Sequence, residues 1–260
     1  MTDRNLEHDA LTLRSLHIPG APLMLANAWD ALTATIIANT GAPAIATSSV
    51  AVARAHGYED NDTMPVDVAF DAIRTISRAV DLPVTADIEA GYGLPARELV
   101  ERLLAAGAVG CNLEDSDHHG PGTVVPMAAH ADRIAAVRAA ASAAGVPIVI
   151  NARVDHFHHT KDHAALLDDG IERARAYLAA GADCVYPIFL GDRDLVARFV
   201  AEVDGPVNIL TRPGIPSVGE LADLGVARIS MGGGLLRVVT DAITNHVSAT
   251  FAAAPAPSPA

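Results

Sequence analysis

Two carboxylates close an apolar run in VTADIEAGYG, residues 84–93. Asp87 and Glu89 lie two positions apart, so a strand would aim both at one side. A third carboxylate, Glu114, ends the next apolar run, AVGCNLE. A buried carboxylate is costly unless it is paired or bound to a metal. Three of them at neighbouring strand ends would repel one another, and a hard divalent cation removes that penalty. Oxygen donors without a thiol cluster suit Mg²⁺ or Mn²⁺ rather than Zn²⁺. Arg153, at the end of PIVINAR, adds a guanidinium that can grip a carboxylate or phosphate through two parallel hydrogen bonds. His118 and His119, in SDHH, supply groups that can move a proton near neutral pH. An exposed, His-rich lid with no proton role is the alternative for that pair.

Something must bring these residues together. The apolar runs LMLANA (23–28), APAIAT (42–47), PVTADI (83–88), AVGCNLE (108–114), PIVINAR (147–153), CVYPIF (184–189), PVNIL (206–210) and ARISMG (227–232) read as strands. They are continuous rather than alternating, as strands covered by helices on their outer face are. Helical patterns lie between them, among them ALTATIIANT (31–40) after the N-cap Asp30 and PARELVERLLAAG (95–107) with Pro95 at the first helical position. Eight strand–helix units predict an α/β fold, a single (β/α)₈ TIM-type barrel over 21–253. Residues 1–20 read as an N-terminal extension and 254–260 as a disordered Pro/Ala tail. No G-x-G-x-x-G follows an early strand, which argues against a dinucleotide-binding sheet.

In such a barrel the carboxyl ends of the strands share one site. The polar residues there are Trp29 and Asp30 on the first run, Ser48 and Ser49 on the second, Asn208 on the seventh and Ser230 on the eighth. With the carboxylates and Arg153 they describe a site for a small, oxygen-rich anion. Local capping and loop anchoring are the alternatives for the serines and asparagines.

The chain has 260 residues and a formal charge of −13, which repels nucleic acid and anionic membrane. No uncharged run reaches membrane-spanning length, and the polar N-terminus is no signal peptide. Two cysteines, Cys111 and Cys184, sit in apolar runs and favour a reducing, cytoplasmic setting over a disulfide framework. Lys161 is the sole lysine and stands in the polar HHTKDH, which argues against Schiff-base chemistry. The apolar stretch GLLRVVTDAITNHV suggests self-association.

The stretches NAWDALTATIIANTGAPAIATSS, GYEDND, LPVTADIEAGYG, GAVGCNLEDS, INARVD, GADCVYP, PVNIL and LGVARISMGGG, in this order, resemble the isocitrate lyase / phosphoenolpyruvate mutase superfamily over nearly the whole chain. The resemblance implies a barrel whose last helix is swapped between subunits, usually in a tetramer, though a dimer is compatible. It implies Mg²⁺ and a small carboxylate substrate that is an α-keto acid or its enolate. By motif, Asp87 would be the direct metal ligand. Glu89 would take the place of the second carboxylate, and Glu114 and Asp60 would hold metal-bound waters. Ser48 and Ser49 would grip the pyruvyl carboxylate, Trp29 and Asp30 would shape the pocket, and Arg153 would reach the substrate oxygens. The sequence also departs from the pattern. Val50 stands where a glycine often follows the serine pair, and Ile188 where the lyases carry Glu. EDSDHHGPGTVVP (114–126) has neither the lysine nor the cysteine of the lyases' K-K/R-C-G-H loop, nor the mutase's lysine and asparagine.

Three functions are open at this stage. The first is a Mg²⁺-dependent lyase or decarboxylase on a small 2-oxo acid or 2-hydroxy carboxylate, passing through a pyruvate-enolate-like intermediate. The second is phosphonate or phosphoenolpyruvate chemistry, by a mutase or a phosphonopyruvate hydrolase. The third is a keto-acid-binding barrel without catalysis.

Overall fold

The computed structural model describes residues 5–118, 120 and 123–253; His119 and the expected tail 254–260 lie outside them. Helix α1 (Leu6–Ser15) precedes strands β1 (Leu23–Leu25) and β2 (Asn27–Ala28). There follow α2 (Ala31–Ala38), β3 (Ile45–Thr47), α3 (Ser49–Ala55), α4 (Val66–Arg78), β4 (Val84–Asp87), α5 (Ala96–Ala105) and β5 (Gly110–Leu113). The second half runs α6 (Met127–Ala143), β6 (Val149–Val154), a 3₁₀ turn (Asp155–His158), α7 (Leu167–Ala179), β7 (Cys184–Pro187) and α8 (Arg193–Glu202). It ends with β8 (Asn208–Leu210), α9 (Val218–Asp223), β9 (Arg228–Ser230) and α10 (Gly234–Ala253).

Every named strand pair is parallel, in the orders β2-β3-β4-β5-β6-β7 and β1-β9-β8. The two sets form one ring. β1 and β2 are halves of a single strand position, interrupted at Ala26, whose carbonyl accepts from Ala46 N at 3.2 Å while Leu25 O accepts from Met231 N at 3.2 Å. β7 meets β8 through a parallel bridge between Val185 and Val207. Eight strand positions therefore close, as the run count predicts.

Apolar strand faces pack against the surrounding helices. Phe70, Leu99, Ile134, Ile171 and Phe199 from five helices are buried in one layer with Ile88, Leu113, Ile150 and Val185. The amino-terminal end of the barrel is stoppered by α1, whose Ala10 and Leu13 are fully buried against Leu23, Leu25, Ala44, Val109 and Val149. The sequence reading left residues 1–20 as an extension. Their low apolar content hid a helix with only two buried residues. It also omitted α3, which is one of the shortest helices.

Two local expectations are corrected. Pro95 is the N-cap of α5, with φ −56° and ψ 145°, so the helix begins one residue later at Ala96. β4 ends at Asp87, and Glu89 has a φ of +52°. Strand alternation therefore does not aim Glu89; a left-handed backbone does. Gly107, with φ +82°, follows the end of α5 in the left-handed conformation that glycine takes without strain.

None of the residues of α10 is buried, and Val239, Ile243, Val247 and Phe251 form an exposed row at four-residue spacing. No described helix is long and apolar enough to cross a membrane.

Gly110 tests the stopper. A Cβ there would lie 2.8 Å from Leu13 Cδ2, 3.0 Å from Thr85 Oγ1 and 3.1 Å from the Val149 carbonyl. The leucine can yield, but the strand carbonyl cannot. Gly110→Ala is expected to lower unfolding free energy by about 1–3 kcal/mol in urea denaturation. An unchanged midpoint would mean that α1 is not tightly seated.

Candidate active site

Asp87 closes β4 facing the carboxyl end of the barrel. Its Oδ2 accepts from both the backbone N and the hydroxyl of Ser49, each at 3.0 Å. Its own N–H donates to Thr47 Oγ1 at 2.8 Å. Asn112 Nδ2 donates to Asp87 Oδ1 at 3.2 Å. Asn112 Oδ1 in turn accepts from Asn151 Nδ2 at 2.8 Å and from Arg228 Nη2 at 3.0 Å. Ser48, buried beside Ser49, is the N-cap of α3 and makes no side-chain capping bond.

Around Asp87 stand further carboxylates. Burial raises the pKa of Asp60, and the charge of Asp87 adds to the effect, while a hydrogen bond from Ser49 opposes it. Asn61 and Asp62 follow in left-handed conformation, with φ +74° and +55°. This turn carries Asp62 to Glu89, whose Oε2 accepts from the Asp62 N–H. Glu89 Oε1 is buried without a partner among the described residues. Burial is the main cause that lifts the Glu89 pKa to about 8, with Asp60, Asp62 and Glu114 adding to it. Ligand atoms of Asp62, Glu89 and His118 lie within 4.8 Å of one another, a spacing that could hold a metal ion. A buried carboxylate oxygen without a donor, amid like charges, is what a divalent cation would satisfy.

Glu114 contacts both His118 Nε2 and Arg153 Nη1. Burial pushes its pKa upward against the pull of Arg153. Burial works to lower that of His118, but the hydrogen bond and charge of Glu114, with Asp62 and Glu89, outweigh it and leave it raised.

Arg153 reaches the same mouth, yet its fork is occupied. Nε and Nη2 donate to the two oxygens of Asp155 at 2.9 and 2.8 Å. The bidentate grip expected on a ligand is made within the chain, and Nη1 is left to Glu114. Asp155 also takes the hydroxyl of Ser116 and donates its N–H to Asp115 Oδ1 at 2.8 Å. Asp115 Oδ2 accepts from Tyr177 OH at 2.6 Å and from Arg173 Nη1 at 3.1 Å. This buried network ties the loop after β5 to β6 and α7.

The remaining predicted residues lie elsewhere. Asp30 spends its carboxylate capping α2, accepting from Thr33 N at 2.7 Å. Trp29 and Asp30 line a depression of about 300 Å³ with Val68, Asp71 and Thr75 of α4. Asn208 Nδ2 donates to Ser230 Oγ at 3.3 Å, and Ser230 lies 3.5 Å from Tyr186 OH. Both are buried inside the barrel. Sequence reasoning missed Asp62 and Asn112, and it placed Asp115 and Asp155 at strand ends without giving them a role. The acidic EDND stretch was a signal for Asp62, and the position of Asp155 two after Arg153 was a signal for its partner.

A profile of the phosphoenolpyruvate phosphomutase family matches residues 13–251. The chain belongs to this family. A provisionally assigned phosphonomutase from Burkholderia cenocepacia has the same fold with a TM-score of 0.89 at 39% identity, covering 95% of this chain and all, 100%, of that one. An oxaloacetate decarboxylase from Rhodopseudomonas palustris is 29% identical, covering 91% of this chain and 83% of that protein. A phosphonopyruvate hydrolase bound to oxalate and Mg²⁺ shares the fold, with a TM-score of 0.80 at 23% identity over 91% of this chain and 84% of that one.

The carboxylate group generates a pH test. Glu89 shifts from 4.5 to about 8 on folding. Between those values the folded, metal-free chain keeps a proton that the unfolded chain has lost, so stability falls as pH rises. The contribution is complete below 4.5 and lost above about 8. The raised His118 acts in the same sense. In EDTA the melting temperature is expected to drop between pH 5 and 8, and Mg²⁺ is expected to flatten or reverse that slope. Equal slopes with and without Mg²⁺ would remove Glu89 from the metal-holding set.

Proposed function

We propose that this protein is a Mg²⁺-dependent lyase or decarboxylase acting on a small 2-oxo acid, or on a 2-hydroxy carboxylate that yields one. The observation that carries this reading is the convergence of Asp87, Glu89 and Glu114 with His118 and Arg153 at one barrel mouth. Asp87 would hold the ion directly, with Glu89, Glu114 and Asp60 around it and Asp62 beside Glu89; Mn²⁺ suits the same oxygen donors. When bound, the ion would supply positive charge to the substrate's carboxylate and 2-oxygen as negative charge develops there.

The chain's own residues would do the rest. Ser48 and Ser49 would orient the carboxylate, and Asp155 would fix the depth of the Arg153 guanidinium in the mouth. For a 2-oxo acid with a 3-carboxylate, the C3–C4 bond breaks and CO₂ leaves. The electron pair stays on C3, delocalised as pyruvate enolate. His118, whose Nε2 is engaged by Glu114, would deliver a proton to C3 from its other ring nitrogen, Nδ1. Glu114 would thereby hold the proton donor and balance its charge.

Phosphonate chemistry is the second reading, supported by the likeness to the Burkholderia protein. Against it, residues 115–126 contain no lysine, arginine or asparagine to meet a phosphonate group. The exposed row on α10 supports a homo-oligomer, a tetramer or dimer, in which this helix is exchanged with a neighbouring subunit.

Oxaloacetate and phosphonopyruvate offered side by side with Mg²⁺ would separate the readings. Turnover of oxaloacetate to pyruvate, lost by at least a thousandfold in Asp87→Ala, is the expected result. Turnover of phosphonopyruvate alone would move the assignment to the second reading. Undiminished activity in Asp87→Ala would sink the mechanism, and oxalate binding without turnover on a broad acid panel would favour a non-catalytic barrel.

A further inference from the structure

Among the described residues, Arg228 heads the large side chains that are fully buried, with 0% exposure. It projects from β9 into the barrel. In the ring order β9 lies opposite β5, and the bond from Arg228 Nη2 to Asn112 Oδ1, at 3.0 Å, crosses the lumen. Nε and Nη1 have no partner among the described residues. The side chain's hydrogen bonding therefore goes to one amide, and that amide touches Asp87.

The chemistry of the two groups makes this contact directional. A guanidinium has donors and no acceptor, so whatever faces it must present oxygen. Asn151 Nδ2 donates to the same Asn112 oxygen at 2.8 Å. With Oδ1 claimed twice, Asn112 has only its NH₂ to turn toward Asp87 Oδ1, at 3.2 Å. The reversed amide would set NH₂ against guanidinium and oxygen against carboxylate, two repulsive contacts. Two donors on Oδ1 also polarise the amide and strengthen the NH₂ as a donor. Oδ2 of Asp87 is held independently by Ser49, so both carboxylate oxygens have fixed directions.

We infer that Arg228 is a positioning residue for the metal-holding carboxylate: through Asn112 it sets the orientation of Asp87 from the opposite wall of the barrel. The inference rests on the proposed reading of Asp87 as a metal ligand. It assigns a role to a cation that touches neither substrate nor ion.

The test is Mn²⁺ titration of the full chain without substrate, followed by electron paramagnetic resonance and paired with thermal denaturation. Replacing a buried cation by an apolar side chain of similar volume is often neutral or stabilising. Arg228→Met is therefore expected to keep or raise the melting temperature while weakening Mn²⁺ binding at least tenfold. Arg228→Lys, which keeps a charge and a donor, should remain within threefold of the parent. Should Arg228→Met fail to fold, Asn112→Ala, which keeps the arginine and removes the amide, must weaken Mn²⁺ by a similar factor. Binding by Arg228→Met as tight as the parent's, or tighter, would overturn the inference, because a mere repulsive charge predicts tighter binding. Failure of the parent chain to bind Mn²⁺ at all would instead refute the metal reading, and the role of Arg228 with it.

Discussion

Crowding of carboxylates at one end of the barrel is the constraint around which the rest of the mouth is arranged. Asp60, Asp62, Asp87, Glu89, Glu114 and Asp155 share that end with the fully engaged guanidinium of Arg153. Two like charges 4 Å apart repel by about 4 kcal/mol at an effective dielectric near 20. Each acid therefore needs its own compensation, and the compensation differs by residue. Asp155 has the fork of Arg153, and Asp87 has a backbone amide, a hydroxyl and an asparagine amide. Glu114 has an arginine on one side and a histidine on the other. Glu89 has one backbone N–H and one buried oxygen without a donor, and it carries the large upward shift.

Holding that arrangement requires an awkward backbone. Among the described residues, the non-glycine residues in left-handed conformation are Asn61, Asp62, Glu89, Tyr92 and Phe189. They lie in connections between elements, Asn61 and Asp62 between α3 and α4, Glu89 and Tyr92 after β4, and Phe189 after β7. Such conformations cost of order 1–3 kcal/mol each and persist only where the surroundings over-determine them. Here the surroundings are the closed ring of strands and the helices buried against it. The stoppered amino end contributes packing and no chemistry, while the carboxyl end carries the strain and the charge.

Family membership leaves the bond that is broken open, because similar sequences carry the names of a decarboxylase and a 2-methylisocitrate lyase. Function follows the site grafted on the fold. In this chain the distinguishing segment is the loop after β5. It brings a histidine to Glu114 and is anchored from below by Asp115, Tyr177 and Arg173. A loop with neither lysine nor cysteine is thus held by a buried polar network.

The amino-acid sequence by itself determined the eightfold alternation, because continuous apolar runs between helical stripes are a local property of the chain. It also marked Asp87, Glu89, Glu114 and Arg153, since a charge at the end of an apolar run stands out without a structure. It could not show that Glu89 turns by a left-handed residue instead of strand alternation, because the end of β4 is set by its neighbours' register. Nor could it show that Arg153 spends its fork on Asp155, or that Trp29 and Asp30 face α4. The contact of Arg228 with Asn112 joins residues more than a hundred positions apart across a lumen that exists only once the ring has closed. Hydrogen-bond partners at that separation are decided by tertiary geometry, in which the direction of each donor, and not its place in the chain, selects the acceptor.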